Sequence, residues 1–210
     1  MAKETQQFVT PVGIANFVQI VEPHKEGDNK GRYTLDIFVK KEDWKPSGDI
    51  LAQAVEAELA SKTLKFTSKD YQPIEKVSDL PDDKKGYVPE ELHDCIRIRM
   101  KANGDIKGTP NTIHCVDSTG KELTPIEKAA IKNGSLVQAS VSLYAGKHSG
   151  KTFCRVSLSA VMYLGESDVS FPQEQFFKAK ALSAFDFSST PAFIAEEAAT
   201  KTTTEKFFDD

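Results

Sequence analysis

In the strand-like run from Cys95 to Lys101, Ile96-Arg97-Ile98-Arg99-Met100-Lys101 alternates apolar and basic side chains without a break. A β-strand sends successive side chains to opposite faces. This run therefore has one apolar and one cationic face, and no helix sorts it that way. It has to lie in a sheet with one side on a core. The same period recurs along the chain. From Val12 to Val21, Ile14, Val18 and Ile20 fall on one face and Ala15, Phe17 and Gln19 on the other. From Arg32 to Lys40, Tyr33, Leu35, Ile37 and Val39 alternate with Arg32, Thr34, Asp36, Phe38 and Lys40. These two segments flank a polar loop, 23–31, and predict a hairpin.

Thr112 to Asp117 reads as another strand, closed by the turn Asp117-Ser118-Thr119-Gly120. Leu136 to Tyr144 and Lys151 to Leu164 read as a last pair, joined by Ala145-Gly146-Lys147-His148-Ser149-Gly150. In its second strand Cys154, Val156, Leu158, Ala160 and Met162 share the expected core face. Helical spacing appears from Asp49 to Lys62, with Asp49 placed to cap it. Thr124-Pro125-Ile126-Glu127 is a capping box that starts a second helix, with Asn133-Gly134 to end it. Between them, Thr63 to Asp94 is a long polar connection holding Tyr71 and Tyr87. Five or six strands, two short helices and no βαβ alternation predict a mainly β fold, an antiparallel barrel.

The 210 residues suit one domain with a tail. We expect a body over 1–165, an extension over 166–187 that can pack as a helix, and a disordered acidic and aromatic tail over 188–210. Of 31 acidic and 27 basic side chains, nine acids and four bases lie from Gly165 onward. The body is thus near neutral and the tail carries the acidity. The chain ends Phe207-Phe208-Asp209-Asp210. Aromatics among carboxylates at a polar end read as a hook for another surface. No apolar run spans a membrane and no apolar leader opens the chain, so a soluble cytoplasmic protein is expected. Three widely spaced cysteines, Cys95, Cys115 and Cys154, give no disulfide framework.

Catalytic constellations are missing. Gly146-Lys147-His148-Ser149-Gly150-Lys151 lacks P-loop spacing. The histidines are scattered, no Cys-x-x-Cys pair exists, and the paired carboxylates lie in loops, so neither metal nor cofactor is expected. The polar strand faces remain. Arg97, Arg99 and Lys101 form one basic row, and Phe153 and Arg155 share another face. Tyr144, Lys147, His148 and Lys151 surround one loop. Cations can follow a phosphate backbone while aromatic rings stack on bases. The same pattern also describes an ordinary solvated strand face, and composition leaves both readings open.

Several segments stand in a telling order along the chain. They are Gly13-Ile14-Ala15-Asn16 to Glu22-Pro23, Gly31-Arg32-Tyr33-Thr34-Leu35-Asp36 and Val116-Asp117-Ser118-Thr119-Gly120-Lys121. Gly134-Ser135-Leu136-Val137 to Ser142-Leu143-Tyr144 follows, then a Gly/Lys loop and Val156-Ser157-Leu158-Ser159-Ala160-Val161. In their order over most of residues 10–165, and in the acidic, aromatic tail, they resemble phage single-stranded-DNA-binding proteins, the group with T7-type and Enc34-type members.

The resemblance implies an OB-fold that coats single-stranded DNA in replication or recombination, in the cytoplasm of an infected bacterium. It implies no enzymatic activity, and a tail that contacts a polymerase or helicase or competes for the DNA groove. Arg32 and Tyr33 follow the first loop in this pattern, and Tyr144 precedes the Gly/Lys loop. The phosphate path is then expected from Arg97, Arg99, Lys101, Lys147, Lys151 and Arg155, with Lys40 and His148 beside it. Stacking is expected from Phe17, Tyr144 and Phe153. Tyr33 shares a face with Leu35 and Ile37, so burial competes with stacking there; Trp44, just beyond a strand beside Lys40, Lys41 and Lys45, is open between a lid and a contact. The rival reading is a protein-interaction module without DNA affinity.

Overall fold

A computed structural model describes residues 6–67, 70–169 and 171. The C-terminal stretch 172–210, including Phe207, Phe208, Asp209 and Asp210, lies outside the described residues, as does most of the predicted extension.

Ten strands and three helices run in the order β1 (Gln7–Val9), β2 (Gly13–Gln19), β3 (Arg32–Val39), α1 (Ser47–Ser61), β4 (Ile74–Lys76), α2 (Asp82–Lys85), β5 (Ile96–Asn103), β6 (Asp105–Ile106), β7 (Thr109–Pro110), β8 (His114–Val116), α3 (Pro125–Ala129), β9 (Ser135–His148) and β10 (Lys151–Glu166). β6 and β7 form a separate ribbon; the other eight strands make one sheet. Within it β2, β3, β5, β10 and β9 pair in a closed circuit, because β9 pairs with both β10 and β2. The predicted all-antiparallel arrangement needs one correction: β10 runs parallel to β5 and to β8.

Inside the circuit lies the main core, which takes Tyr33, Leu35, Ile37 and Val39 from β3 and Ile98 and Met100 from β5. The predicted strand alternation holds there and fails in two places for one reason. In β2 the register steps from Asn16 opposite Asp36 to Gln19 opposite Thr34, one residue too many. Such a bulge switches which face the following side chains occupy. Before it, Ala15 points into the core and Ile14 out; after it, Ile20 points in. In β10 a shift between Leu158 and Ala160 likewise moves the core position from Ala160 and Met162 to Val161.

The hairpin loop is also shorter than expected. β9 and β10 stay paired to His148 and Lys151, so only Ser149 and Gly150 turn. Both have positive φ, 49° and 77°. That is the two-residue turn whose twist matches the strands, and glycine takes its second position without strain.

α1 begins at Ser47, two residues before the predicted start, and Asp49 does not cap it. Asp49 instead accepts the indole N–H of Trp44 at 2.8 Å. Gly48 makes room for that ring, since a Cβ there would sit 2.2 Å from it. The capping box of α3 forms as the sequence predicts. That helix ends at Ala129, short of Asn133-Gly134.

The connection 63–94 is a folded cover. Val77, Leu80, Val88 and Leu92 form a second apolar cluster with Ile14, Phe38 and Cys95 on the outer side of β2 and β3. Phe171 completes it, its ring 6.3 Å from that of Phe38. The folded unit therefore runs to Phe171. All three cysteines are buried with free thiols, and burial pushes Cys115 and Cys154 up to about 11. Such thiols are inert packing groups.

Candidate functional site

The outer face of β5 changes character along its length. Arg97, Arg99 and Lys101 stand opposite Phe38, Asp36 and Thr34 of β3. At the Arg97 end the face is neutralised. Asp36 is buried, and Arg97 donates to its Oδ2 through Nε, at 2.8 Å, and through Nη2. Glu75, brought opposite Arg97 by β4, lies 3.5 Å from Arg97 Nη1 and 3.3 Å from Arg99 Nη2. Burial raises the Asp36 carboxyl above its ordinary value, although Arg97 pulls the other way. The Arg97 side chain is only 13% exposed. The basic row is thus neither a solvated face nor three free charges, and Arg97 is spent inside an ion-pair network.

At the other end the cations are left uncompensated. Lys101 Nζ donates to Asn29 Oδ1 at 2.8 Å, and Arg155 Nη1 to Asn103 Oδ1 at 3.4 Å. Both acceptors are neutral, so they aim the cations without cancelling them. Among the described residues no ion pair involves Arg32, Lys101 or Arg155, whereas Arg97 and Arg99 share Glu75. Burial first, then the neighbouring Arg32, hold both Lys101 and Arg155 below their ordinary values. A pocket of about 170 Å³ opens here, lined by Arg32, Tyr71, Arg99, Lys101, Phe153 and Arg155.

Aromatic rings flank these charges. Tyr71, 39% exposed, lies with its ring centroid 3.9 Å from the Arg99 guanidinium and 5.9 Å from Lys101 Nζ. Its backbone pairs with Phe153, and Thr152 N donates to Asp70 Oδ1 at 2.9 Å. Arg99 fixes the same segment from β5: its backbone N donates to Pro73 O and its Nη2 to Gln72 O. The Phe153 ring lies on the Gly146 backbone, 5.9 Å from that of Tyr144. Tyr144 is 56% exposed and carries Lys62 Nζ 4.1 Å above its ring. Arg99 and Lys101 thus lie against Tyr71, and Lys62 against the Phe153–Tyr144 ring pair. Such contacts contribute roughly 0.5–1 kcal/mol each at exposed sites.

Phe17 stands apart from this pocket, 42% exposed and 5.6 Å from Arg97. It occupies the β2 bulge with φ 50°, a strained region for a non-glycine residue. Side chains satisfy the bulge. Phe17 N donates to Asn16 Oδ1, Val18 N to Asn133 Oδ1, and Thr34 Oγ1 to Phe17 O.

The structure thus brings Arg32, Arg99, Lys101, Phe153 and Arg155 around one pocket, with Tyr144 beside it. Lys147, His148 and Lys151 are exposed at the hairpin tip. Three expected contacts sit elsewhere. Tyr33 is 3% exposed in the main core and donates its hydroxyl to Asn111 O, so it has no face for a base. Trp44 packs on the main core and covers α1, the lid alternative. Lys40 is exposed beyond the end of β3 and lines neither the pocket nor the larger neighbouring depression around Trp44, Tyr71 and Lys151. Sequence reasoning missed Tyr71, Lys62, Asp36 and Glu75. For Tyr71 the available signal was an isolated aromatic in a polar connection before Pro73.

No protein-family model matches the sequence, and no curated protein does. Solved structures match the fold. The single-stranded DNA-binding protein of bacteriophage Enc34, truncated at its C-terminus, superposes with a TM-score of 0.62 at 15% identity, covering 78% of this chain and 88% of that one. The same Enc34 protein in complex with single-stranded DNA gives 0.61 at 17%, over 79% and 89%. The single-stranded DNA-binding protein encoded by bacteriophage T7 gives 0.56 at 19%, over 80% and 96%. The chain therefore shares its fold with these phage single-stranded-DNA-binding proteins.

Proposed function

We propose that this chain binds and coats single-stranded DNA with little sequence preference, in phage replication or recombination, and is not an enzyme. One observation carries the reading: cations without an ion-pair partner among the described residues gather beside the exposed rings of Tyr71 and Tyr144 and the half-buried ring of Phe153. The shared fold supports it, since one structural neighbour was solved with single-stranded DNA bound. The closed circuit of five strands is read as an OB-type barrel, which commonly uses such a face for oligonucleotides. Arg99, Lys101, Arg32 and Arg155 engage phosphates. Tyr71, Phe153 and Tyr144 stack on bases, at roughly 1–3 kcal/mol per base.

The path turns across β10 toward the exposed Lys147, His148 and Lys151, past Lys62, which is itself paired with Glu58 at 2.8 Å. It does not continue along β5 to Arg97, where charge is cancelled and the 77–95 cover begins. Phe17 at its bulge is a separate stacking position. The segment 188–210, with Phe207 to Asp210, contacts a replicative polymerase or helicase, or competes for the basic face, in the cytoplasm of the infected bacterium. The acidity of that stretch, opposite in sign to the pocket, supports the competition.

Titration with oligo-dT at two salt concentrations tests the reading. Binding that weakens with salt and is similar across base sequences is expected. Absence of binding at low salt, also after removal of 188–210, overturns it in favour of an interaction module.

A further inference from the structure

A nucleic-acid strand passing through a site needs about one cation for each single-charged phosphodiester it presents. The pocket between β3, β5 and β10 gathers four cations. Arg32, Arg99, Lys101 and Arg155 converge on about 170 Å³. Three of these have no carboxylate partner among the described residues, and Arg99 shares Glu75 with Arg97. Their approach is close enough for burial and mutual repulsion to hold Lys101 and Arg155 below their ordinary values. Asn29 and Asn103 orient two of them at 2.8 Å and 3.4 Å. Arg99 holds the Tyr71 segment, but Arg32, Lys101 and Arg155 form no ion pair among the described residues, and an anion of higher charge relieves their repulsion.

A phosphate monoester carries about −1.5 to −2 charges at neutral pH and three acceptor oxygens. Guanidinium forks match those oxygens two at a time. Tyr71 and Phe153, backbone neighbours, line the pocket wall beside which the attached nucleoside would lie.

We propose that this pocket takes the terminal phosphomonoester of a nucleotide, so the protein favours phosphorylated strand ends over internal positions. The proposal rests on the DNA-binding reading of the same face, and adds an end preference to it. The monoester comes either from a DNA end or from a free nucleotide.

The test uses the full chain and anisotropy of labelled short dT oligomers at low salt. Four probes are compared: hydroxyl-ended, 5′-phosphorylated, 3′-phosphorylated, and a longer hydroxyl-ended oligomer of equal total charge. One phosphorylated form is expected to bind about tenfold tighter than both hydroxyl-ended probes, and Lys101→Met or Arg155→Met to erase the difference. Equal binding of the phosphorylated and charge-matched probes overturns the end preference and leaves the coating reading standing. Failure of every probe to bind overturns the coating reading itself. Displacement of the phosphorylated probe by free dTMP assigns the pocket to nucleotides in general. Displacement only by phosphorylated oligomer assigns it to strand ends. Either result upholds the monoester site.

Discussion

The two ends of one strand face do opposite work with the same residue types. Around Arg97, an arginine, a buried aspartate and a glutamate cancel one another beneath an apolar cover. Around Lys101 and Arg155, cations of equal formal charge meet asparagine amides and aromatic rings, and form no ion pair among the described residues. The difference teaches that a basic row in sequence is not a binding surface until its counter-charges are known. At one end charge specifies structure, and at the other it is left for a ligand.

The largest effect that sharpens this contrast is on stability. Arg97→Met leaves the Asp36 charge buried without its partner, and a loss of about 3–5 kcal/mol is expected in urea unfolding. Asp36→Asn in the same chain is expected to restore most of that loss. The deficit is also expected to depend on pH. The folded Asp36 carboxyl is raised, so its contribution to stability is fully present below its ordinary 3.8 and lost as pH rises through the folded value. Without Arg97 the charged form is disfavoured further, so the variant's deficit shrinks as pH falls. A pH-independent deficit would show that Asp36 is not the group left stranded.

Next come the rings. Tyr71→Ala and Phe153→Ala are each expected to weaken oligo-dT binding by about 1–3 kcal/mol, similarly for other base sequences. Intact affinity in Tyr71→Ala would move the stacking away from this pocket.

Much of this architecture was legible. Period-two patterning located β3, β5 and the β9–β10 pair, because each has one face on the core. What misled was the assumption that parity persists along a strand. One extra residue, at Phe17 in β2 or Ser159 in β10, reverses it, and no local pattern marks that residue. The site was half legible for a related reason. Arg99, Lys101, Phe153 and Arg155 show their faces within single strands. Asp36 reaches Arg97, and Tyr71 reaches Phe153, only through pairings distant in sequence. Tyr33 shows the converse: a residue placed beside the site by sequence whose side chain the strand turns inward.

A smaller effect separates that residue from the interface. Tyr33→Phe removes a hydrogen bond to Asn111 O, so a stability loss of about 1 kcal/mol with unchanged DNA affinity is expected. Weakened DNA binding in a stably folded Tyr33→Phe protein would return Tyr33 to the site.

The most direct measurement is the salt dependence of oligo-dT binding for three proteins: wild type, Lys101→Met, and the double variant Asp36→Asn/Arg97→Met. The double variant removes the neutral pair together and leaves no orphaned charge. The account predicts that Lys101→Met lowers the slope of log affinity against log salt by about 0.7, the contribution of one phosphate on a single strand. It predicts that the double variant keeps the wild-type slope. A slope that falls in the double variant and holds in Lys101→Met would contradict the division of this face into a structural half and a binding half.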